Sequence, residues 1–294
     1  MMDNKPAIRP RRSVLYMPAS NMRAMDKARS LAADCIVFDL EDAVDPDAKQ
    51  QAREQLLEAL AQGGYGEREL IVRVNALGTP WGVDDLVAVA QSGAHSVCLP
   101  KVESVAYVRR VADKLAEHGA PDMGIWVMAE TPAGIQNIDE IAAAHDQIDV
   151  ILMGTSDLAK ELRVPHTPER TGFLYSLSRC IIAARANGLD AIDGVYLDLE
   201  DTTAYEAICQ QGRELGFDGK SLIHPKQIDC ANAVFGPSSV EIAHSRRVLE
   251  VWQKAEAAGT ALAVLDGKLV EILHAEEAER VLLLADSVAR MSAL

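Results

Sequence analysis

What most constrains this chain is an alternation. Short apolar runs are each followed by an amphipathic, helix-like stretch, and this happens eight times between residues 13 and 235. The runs are SVLYMPA (13–19), CIVFDLED (35–42), ELIVRVN (69–75), SVCLPKV (96–102), GIWVMAE (124–130), VILMGTSD (150–157), a weaker run at 191–195 and KSLIHP (220–225). The stretches between and after them, at 21–32, 48–62, 81–91, 105–118, 133–144, 168–187, 202–215 and 227–235, read as helices. Ser20 or Asn21 is placed to cap the first, and Gly63-Gly64 to close the second. Apolar runs without polar alternation belong to strands buried on both faces, and strand–helix alternation implies a parallel sheet. Eight units favour a closed (β/α)8 TIM barrel over an open doubly wound sheet. No G-x-G-x-x-G follows the first run, so the dinucleotide-binding alternative lacks its usual signature.

The last part of the chain breaks the pattern. Residues 238–258 read as a helix, LAVLDGKLVEIL (262–273) as a hairpin around Asp266-Gly267, and 275–291 as a final helix. The expected division is a barrel domain over 1–237 and a C-terminal helical and hairpin extension over 238–294. The extension is expected to cover a barrel mouth, that of a neighbouring subunit.

Composition narrows the partners. The 294 residues carry a formal net charge of −15, which argues against nucleic acid or an anionic membrane. A locally basic site still admits an anionic small ligand. No run approaches the roughly 18 apolar residues of a membrane span, and the polar start leads into a short run that reads as a strand, not a signal segment. The five cysteines are odd in number and form no CxxC, which points to a reducing cytoplasm. Cys35 and Cys98 lie inside apolar runs and read as core thiols.

In a (β/α)8 barrel the chemistry sits at the C-terminal ends of the strands. Six of the eight ends here carry ionisable residues: Asp39, Glu41 and Asp42; Arg73, beside Asn75; Lys101 and Glu103; Glu130; Asp157; and His224. Any one of these, alone, is a solvated strand-end side chain. Glu130 and Asp157 close consecutive strands and so sit side by side over the mouth. Two hard oxygen ligands with room for waters suit Mg²⁺, and no His or Cys stands beside them for zinc; the competing reading is a proton-sharing dyad. Arg73 can fork onto a carboxylate or an enolate oxygen, or pair with Glu41 or Asp42. The backbone of Gly154-Thr155-Ser156 can hold an anion. Arg23 and Lys27 lie one turn apart and suit the phosphates of a long anionic cofactor, or form a plain basic face. His224, before Pro225, reads as a hydrogen-bonded structural histidine, with a catalytic one as the alternative.

The segments RSVLYMPASNMRAMDKA, FDLEDAV, VRVN, LPKVES, AETPAGI, MGTSDLAKEL and GFDGKSLIHPKQI together resemble the citrate lyase β-subunit-like CoA-ester lyases of the HpcH/HpaI aldolase superfamily. The resemblance runs in order from about residue 12 to 280. WGVDDL, DGVYLD and DGKLVEILHAEEAERV make the chain most similar to the malyl-CoA lyase and (3S)-malyl-CoA thioesterase branch. The resemblance implies a phosphoenolpyruvate/pyruvate-type barrel, assembled as a homotrimer or a dimer of trimers. It implies Mg²⁺, or Mn²⁺, on Glu130 and Asp157, and Arg73 on the substrate carbonyl. It also implies CoA phosphates on Arg23 and Lys27, with Glu41 and Asp42 supporting the site. Many such lyases carry a catalytic aspartate in a C-terminal G-x-[MI]-[IV]-D segment supplied by the adjacent subunit; here the segment is GKLVE and the position is Glu271.

The expected activity is Mg²⁺-dependent C–C cleavage of a 3-hydroxy-3-carboxyacyl-CoA such as (S)-malyl-CoA to a 2-oxo acid and acetyl-CoA. Arg73 would stabilise the enolate and Glu271 would protonate it. Two alternatives accompany it. One is a (3S)-malyl-CoA thioesterase, in which Glu271 activates water. The other is a citrate lyase β-chain-type or accessory subunit.

Overall fold

The computed structural model describes residues 8–292. The chain divides into two compact units, one over Arg11–Asn232 and a smaller one that takes in residues 8–10 and 233–292.

The larger unit holds eight strands: β1 Ser13–Pro18, β2 Cys35–Asp39, β3 Glu69–Arg73, β4 Ser96–Leu99, β5 Gly124–Ala129, β6 Ile148–Met153, β7 Asp190–Asp193 and β8 Gly219–Leu222. They close in sequence order into one barrel, every neighbouring pair parallel, with β8 returning to β1 through Ser13↔Lys220. The helices between them are α1 Met22–Ala28, α2 Lys49–Gln62, α3 Gly82–Ala90, α4 Val105–Glu117, α5 Pro132–Gln136, α6 Ile138–Ala142, α7 Thr155–Leu162, α8 Leu174–Ala186 and α9 Thr202–Leu215, and α10 Ile228–Phe235 follows β8. The expected TIM barrel is therefore present.

Three local expectations change. The run 150–157 does not remain extended to Asp157: β6 stops at Met153, Gly154 turns the chain, and α7 begins at Thr155. Asp157 thus sits in the first turn of a helix. The stretch 133–144 is two short helices, α5 and α6, broken at Asn137. The stretch 168–187 is a 3-10 turn, Thr171–Phe173, leading into α8.

Strand alternation decides what faces the barrel axis. Val14, Cys35, Val37, Ile71, Cys98, Trp126, Met128, Val150, Leu152 and Ile192 form one buried cluster, with Tyr16 packed on it. Cys35 and Cys98 are the core thiols the sequence suggests. The N-terminal end of this core is closed by Arg11, whose guanidinium lies 5.4 Å from the Trp126 ring and ion-pairs with Glu69 and Asp190 at 2.7 Å each. Charge enters on the same inward face two positions beyond Val37 and Ile71, at Asp39 and Arg73.

The smaller unit contains α11 Ser239–Ala257, a hairpin of β9 Ala263–Leu265 and β10 Lys268–Val270, and α12 Ile272–Ser292. Val248, Leu265, Val270 and Ala278 form its apolar cluster, with Trp252 against it. The hairpin turn has φ +50° at Asp266 and +77° at Gly267, both left-handed, as a type I′ turn requires. Among the described residues no helix is long and apolar enough to cross a membrane.

Candidate active site

Asp39 and Arg73 are register partners on β2 and β3, and both point into the mouth. Arg73 forks onto Asp39, Nε donating to Oδ1 at 2.8 Å and Nη2 to Oδ2 at 2.6 Å. Its Nη1 lies 2.8 Å from Glu41 Oε2 and 3.6 Å from Asp42 Oδ2, and its guanidinium stacks 5.1 Å from the Tyr16 ring. The sequence offered a substrate-facing Arg73 or an Arg73 ion-paired with Glu41 or Asp42. The structure pairs it with both of these, and with Asp39, so it is fixed in orientation by three carboxylates. Asp39 also ties down its own loop, accepting from the backbone N–H groups of Glu41 and Ala43 at 2.9 and 3.1 Å. Lys49 Nζ donates to the carbonyls of Leu40 and Glu41 at 2.8 and 2.6 Å, and Asn75 Nδ2 to that of Leu40 at 2.8 Å. The Glu41 side chain is consequently held with little freedom.

Glu130 follows directly on β5 and is 2% exposed. Its side chain reaches across Gly154: a Cβ built there would lie 2.4 Å from Glu130 Oε2. Glycine at this position gives the carboxylate its room. Glu130 Oε1 accepts from the backbone N–H of Lys101 at 2.7 Å. Burial, reinforced by the nearby charge of Glu41, pushes the Glu130 carboxyl up to about 7. Burial also raises Glu41, against the opposing pull of Arg73 and Lys101.

Asp157 is about one-third exposed in the first turn of α7. Its Oδ2 lies 3.4 Å from Lys101 Nζ, which donates to Glu41 Oε1 at 2.8 Å. Lys101 therefore joins Glu41, Glu130 and Asp157 into one cluster with Arg73 and Asp39. Lys101, Asp39 and Asn75 stand among the polar strand ends in the sequence, but nothing there assigns them a task. Only the closed barrel shows Lys101 spanning from β4 to carboxylates on three other units.

Gly154 precedes α7, whose first residues are Thr155 and Ser156. Thr155 is buried and its Oγ1 has no hydrogen-bond partner, while Ser156 is exposed. Arg23 and Lys27 are exposed on α1, one turn apart. Asp42 is exposed beside Arg73. Glu271 belongs to the smaller unit, at the start of α12, where its backbone N–H donates to His274 Nδ1 at 3.0 Å. His224 caps the turn after β8, its Nδ1 accepting from the Lys226 N–H at 3.1 Å.

Carboxylates outnumber cations in the mouth. Two of them, Glu130 and Asp157, supply oxygen donors only, and the described residues contain no group of three or more His, Cys, Asp or Glu disposed to hold a metal. A site of this kind suits a hard ion that keeps most of its waters.

Known proteins share both the sequence and this fold. The family model for HpcH/HpaI aldolase/citrate lyase matches residues 12–225. A (3S)-malyl-CoA thioesterase of Cereibacter sphaeroides is 47% identical over 284 residues, covering 97% of this chain and 98% of the relative. The citrate lyase subunit beta of Escherichia coli (strain K12) is 36% identical over 269 residues, covering 90% and 89%. Among solved structures, CitE from Mycobacterium tuberculosis in complex with magnesium, acetoacetate and coenzyme A superposes with a TM-score of 0.75 at 29% identity, covering 93% of this chain and 97% of that one. A family model matched from the first strand to the end of the eighth, together with relatives alike over nearly their full length, leaves one assignment: the chain belongs to the HpcH/HpaI aldolase/citrate lyase family.

Proposed function

We propose that this protein is a divalent-cation-dependent enzyme acting on the CoA thioester of a short 3-hydroxy-3-carboxy acid of the malyl-CoA type, and that it hydrolyses the thioester to malate and free CoA. The observation that carries this reading is the 47% identity, over nearly the whole of both chains, to a (3S)-malyl-CoA thioesterase. The geometry of the mouth supplies the means.

Glu130 and Asp157 are the residues that would hold Mg²⁺, or Mn²⁺ in its place. The cradle at Gly154 keeps Glu130 unobstructed, and burial together with the charge of Glu41 raises its carboxyl against the pull of Arg73 and Lys101. Held there, the ion would supply Lewis acidity to the substrate. The chain's own residues do the rest. Backbone N–H groups at the start of α7 bind the substrate carboxylate. Arg73 donates to the thioester carbonyl oxygen and stabilises the negative charge that develops there. Because Asp39 grips two of its nitrogens, it needs no reorientation during the reaction. Arg23 and Lys27 bind the CoA phosphates.

Glu271, brought to the mouth by a neighbouring copy, takes the proton from the attacking water. The water oxygen bonds to the carbonyl carbon, the C–S bond breaks, and CoA leaves as the thiolate, which recovers that proton. The oligomer is then a homotrimer or a dimer of trimers, and the five free thiols fit a cytoplasmic setting.

C–C cleavage is the second reading, favoured by the likeness to citrate lyase subunits beta. In it the substrate hydroxyl loses its proton, the C2–C3 bond breaks to give glyoxylate, and Arg73 stabilises the acetyl-CoA enolate, which Glu271 protonates. The test is to incubate the protein with Mg²⁺ and (3S)-malyl-CoA and follow all four products. Malate with free CoA is expected. Glyoxylate with acetyl-CoA would replace hydrolysis by the lyase reading. No turnover unless an acyl-carrier protein is added would favour a β-chain-type subunit.

A further inference from the structure

Lys101 stands apart among the mouth residues because it touches both proposed metal ligands through different atoms. Its backbone N–H donates to Glu130 Oε1 at 2.7 Å, and its Nζ lies 3.4 Å from Asp157 Oδ2. To do so it adopts φ +50°, the left-handed region that is unfavourable for a side-chain-bearing residue. Such a conformation persists only where the surroundings dictate it.

The two contacts of the ammonium are unequal. It donates to Glu41 Oε1 at 2.8 Å, within hydrogen-bond reach, while Asp157 at 3.4 Å is held by charge alone. Glu41 is buried and Asp157 is one-third exposed. The lysine is thus anchored on Glu41 and only leans on Asp157.

We propose that Lys101 is the positioning residue that sets how tightly the mouth takes its divalent cation: its ammonium neutralises Glu41, keeps that carboxylate from the ion, and must give up Asp157 before Asp157 can ligate. This rests on the reading that Glu130 and Asp157 are the ligands. Removing the ammonium takes away a repelling charge next to the ion and a competitor for one ligand. Affinity for the cation should therefore rise, by about tenfold or more. A side chain with a merely structural role would lower affinity when removed.

The test is direct Mn²⁺ binding to the full chain without substrate, read from the electron paramagnetic resonance of the free ion. Wild type, Lys101→Met, Lys101→Arg and Asp157→Asn are compared. Lys101→Met keeps the length and apolar stem of the side chain and loses only the charge. It should bind Mn²⁺ at least about tenfold more tightly than wild type, Lys101→Arg should return towards wild type, and Asp157→Asn should bind at least about tenfold more weakly. If Lys101→Met binds like wild type or more weakly while Asp157→Asn is impaired, the role of Lys101 is overturned and the ligand assignment stands. If Asp157→Asn binds like wild type, the ligand assignment falls and the role of Lys101 with it. Binding by no variant, wild type included, overturns both. Should Lys101→Met lose its circular dichroism signature, Lys101→Gln takes its place: it too should bind Mn²⁺ more tightly than wild type, and equal or weaker binding by it overturns the role of Lys101.

Discussion

The barrel contains two acid–base pairs at register-matched positions on adjacent strands, and they have been put to opposite uses. Asp39↔Arg73 on β2 and β3 faces the barrel axis, two positions beyond Val37 and Ile71 of the core. Asp193↔Lys220 on β7 and β8 faces outward, because Ile192, the preceding residue, is the one that points in. Around the outward pair the cations are in surplus. Lys220 Nζ donates to Asp193 Oδ2 at 2.9 Å and to the Gly194 carbonyl at 2.6 Å, and Arg170 Nη1 reaches both Asp193 oxygens at 2.7 Å. Around the inward pair the surplus is reversed: Glu41, Asp42 and Asp157 share Arg73 and Lys101 with Asp39, and Glu130 reaches only the backbone N–H of Lys101. The titration of the groups follows. Asp193 is held below the usual carboxylate range by Lys220 and Arg170 despite complete burial, whereas Glu130 is pushed up to about 7. A fully compensated pair can only hold the fold together. An under-compensated one, with carboxylates in excess, is held ready for a cation.

The largest effect expected from breaking this contrast is on stability, at the outward pair. Asp193→Asn leaves Lys220 and Arg170 buried without their counter-charge, and loss of one partner of a buried pair costs about 3–5 kcal/mol. Urea unfolding at pH 7 measures it, with turnover per folded molecule changing far less. The cost should depend on acidity in a set direction. The Asp193 carboxyl is depressed in the folded state, so its stabilisation is fully present above the unfolded value of about 3.9 and is lost as the pH falls through the folded one. Wild type and variant should therefore converge below about pH 4. A gap that stays constant down to pH 3 would mean that Asp193 is not the compensating charge.

The same kind of change in the mouth should reverse the balance. Arg73→Lys keeps the charge but loses the fork that grips Asp39 and, on the proposed function, the oriented donor to the thioester carbonyl. Removing one preorganised donor from an oxyanion site typically costs about 10²–10³ in kcat. Turnover of (3S)-malyl-CoA should drop by that factor, with KM changing less and the unfolding midpoint moving less than for Asp193→Asn. If Arg73→Lys lost stability like Asp193→Asn and kept its turnover, the inward pair would be structural as well.

How much of this is legible in the sequence differs between backbone and side chains. The barrel is readable because six of its eight strands lie in apolar runs and the two weaker ones, β7 and β8, continue the same alternation with helices, and the hairpin because Asp-Gly takes two successive left-handed residues cheaply. Glu130 and Asp157 are readable as neighbours because consecutive parallel strands are adjacent in space. The helix containing Asp157 is not. Gly154 ends β6 after four strongly apolar residues, and TSD looks like their polar continuation until the turn at φ −98°, ψ 74° is seen. Lys101 has no role assigned by sequence because its part depends on a left-handed backbone and a reach across the mouth, neither of which leaves a periodic trace. The Asp193–Lys220 pair is hidden for a similar reason: the two residues are 27 apart in the chain and meet only through strand register.

The smallest expected effect sharpens the comparison most, because it adds a single methyl group to the under-compensated side. Gly154 has φ −98°, a value alanine adopts without strain, so Gly154→Ala tests contact alone. The new Cβ would lie 2.4 Å from both Cβ and Oε2 of Glu130, well inside van der Waals contact; the carboxylate can swing aside, but the Cβ is fixed to the end of β5, so the backbone must shift as well. Overpacking of this kind costs about 1–3 kcal/mol. Here it should appear as a displaced Glu130 with a cation affinity lowered by about tenfold, the equivalent of roughly 1.4 kcal/mol, together with a lowered unfolding midpoint. Gly78→Ala is the control: that glycine is exposed, carries no positive φ, and a Cβ there meets nothing within 4 Å. Mg²⁺ titration calorimetry on the two variants separates the outcomes. Weaker binding in Gly154→Ala alone ties the affinity to the placement of Glu130. Equal binding in both would show that Glu130 need not sit where Gly154 lets it, and the cradle would lose its meaning.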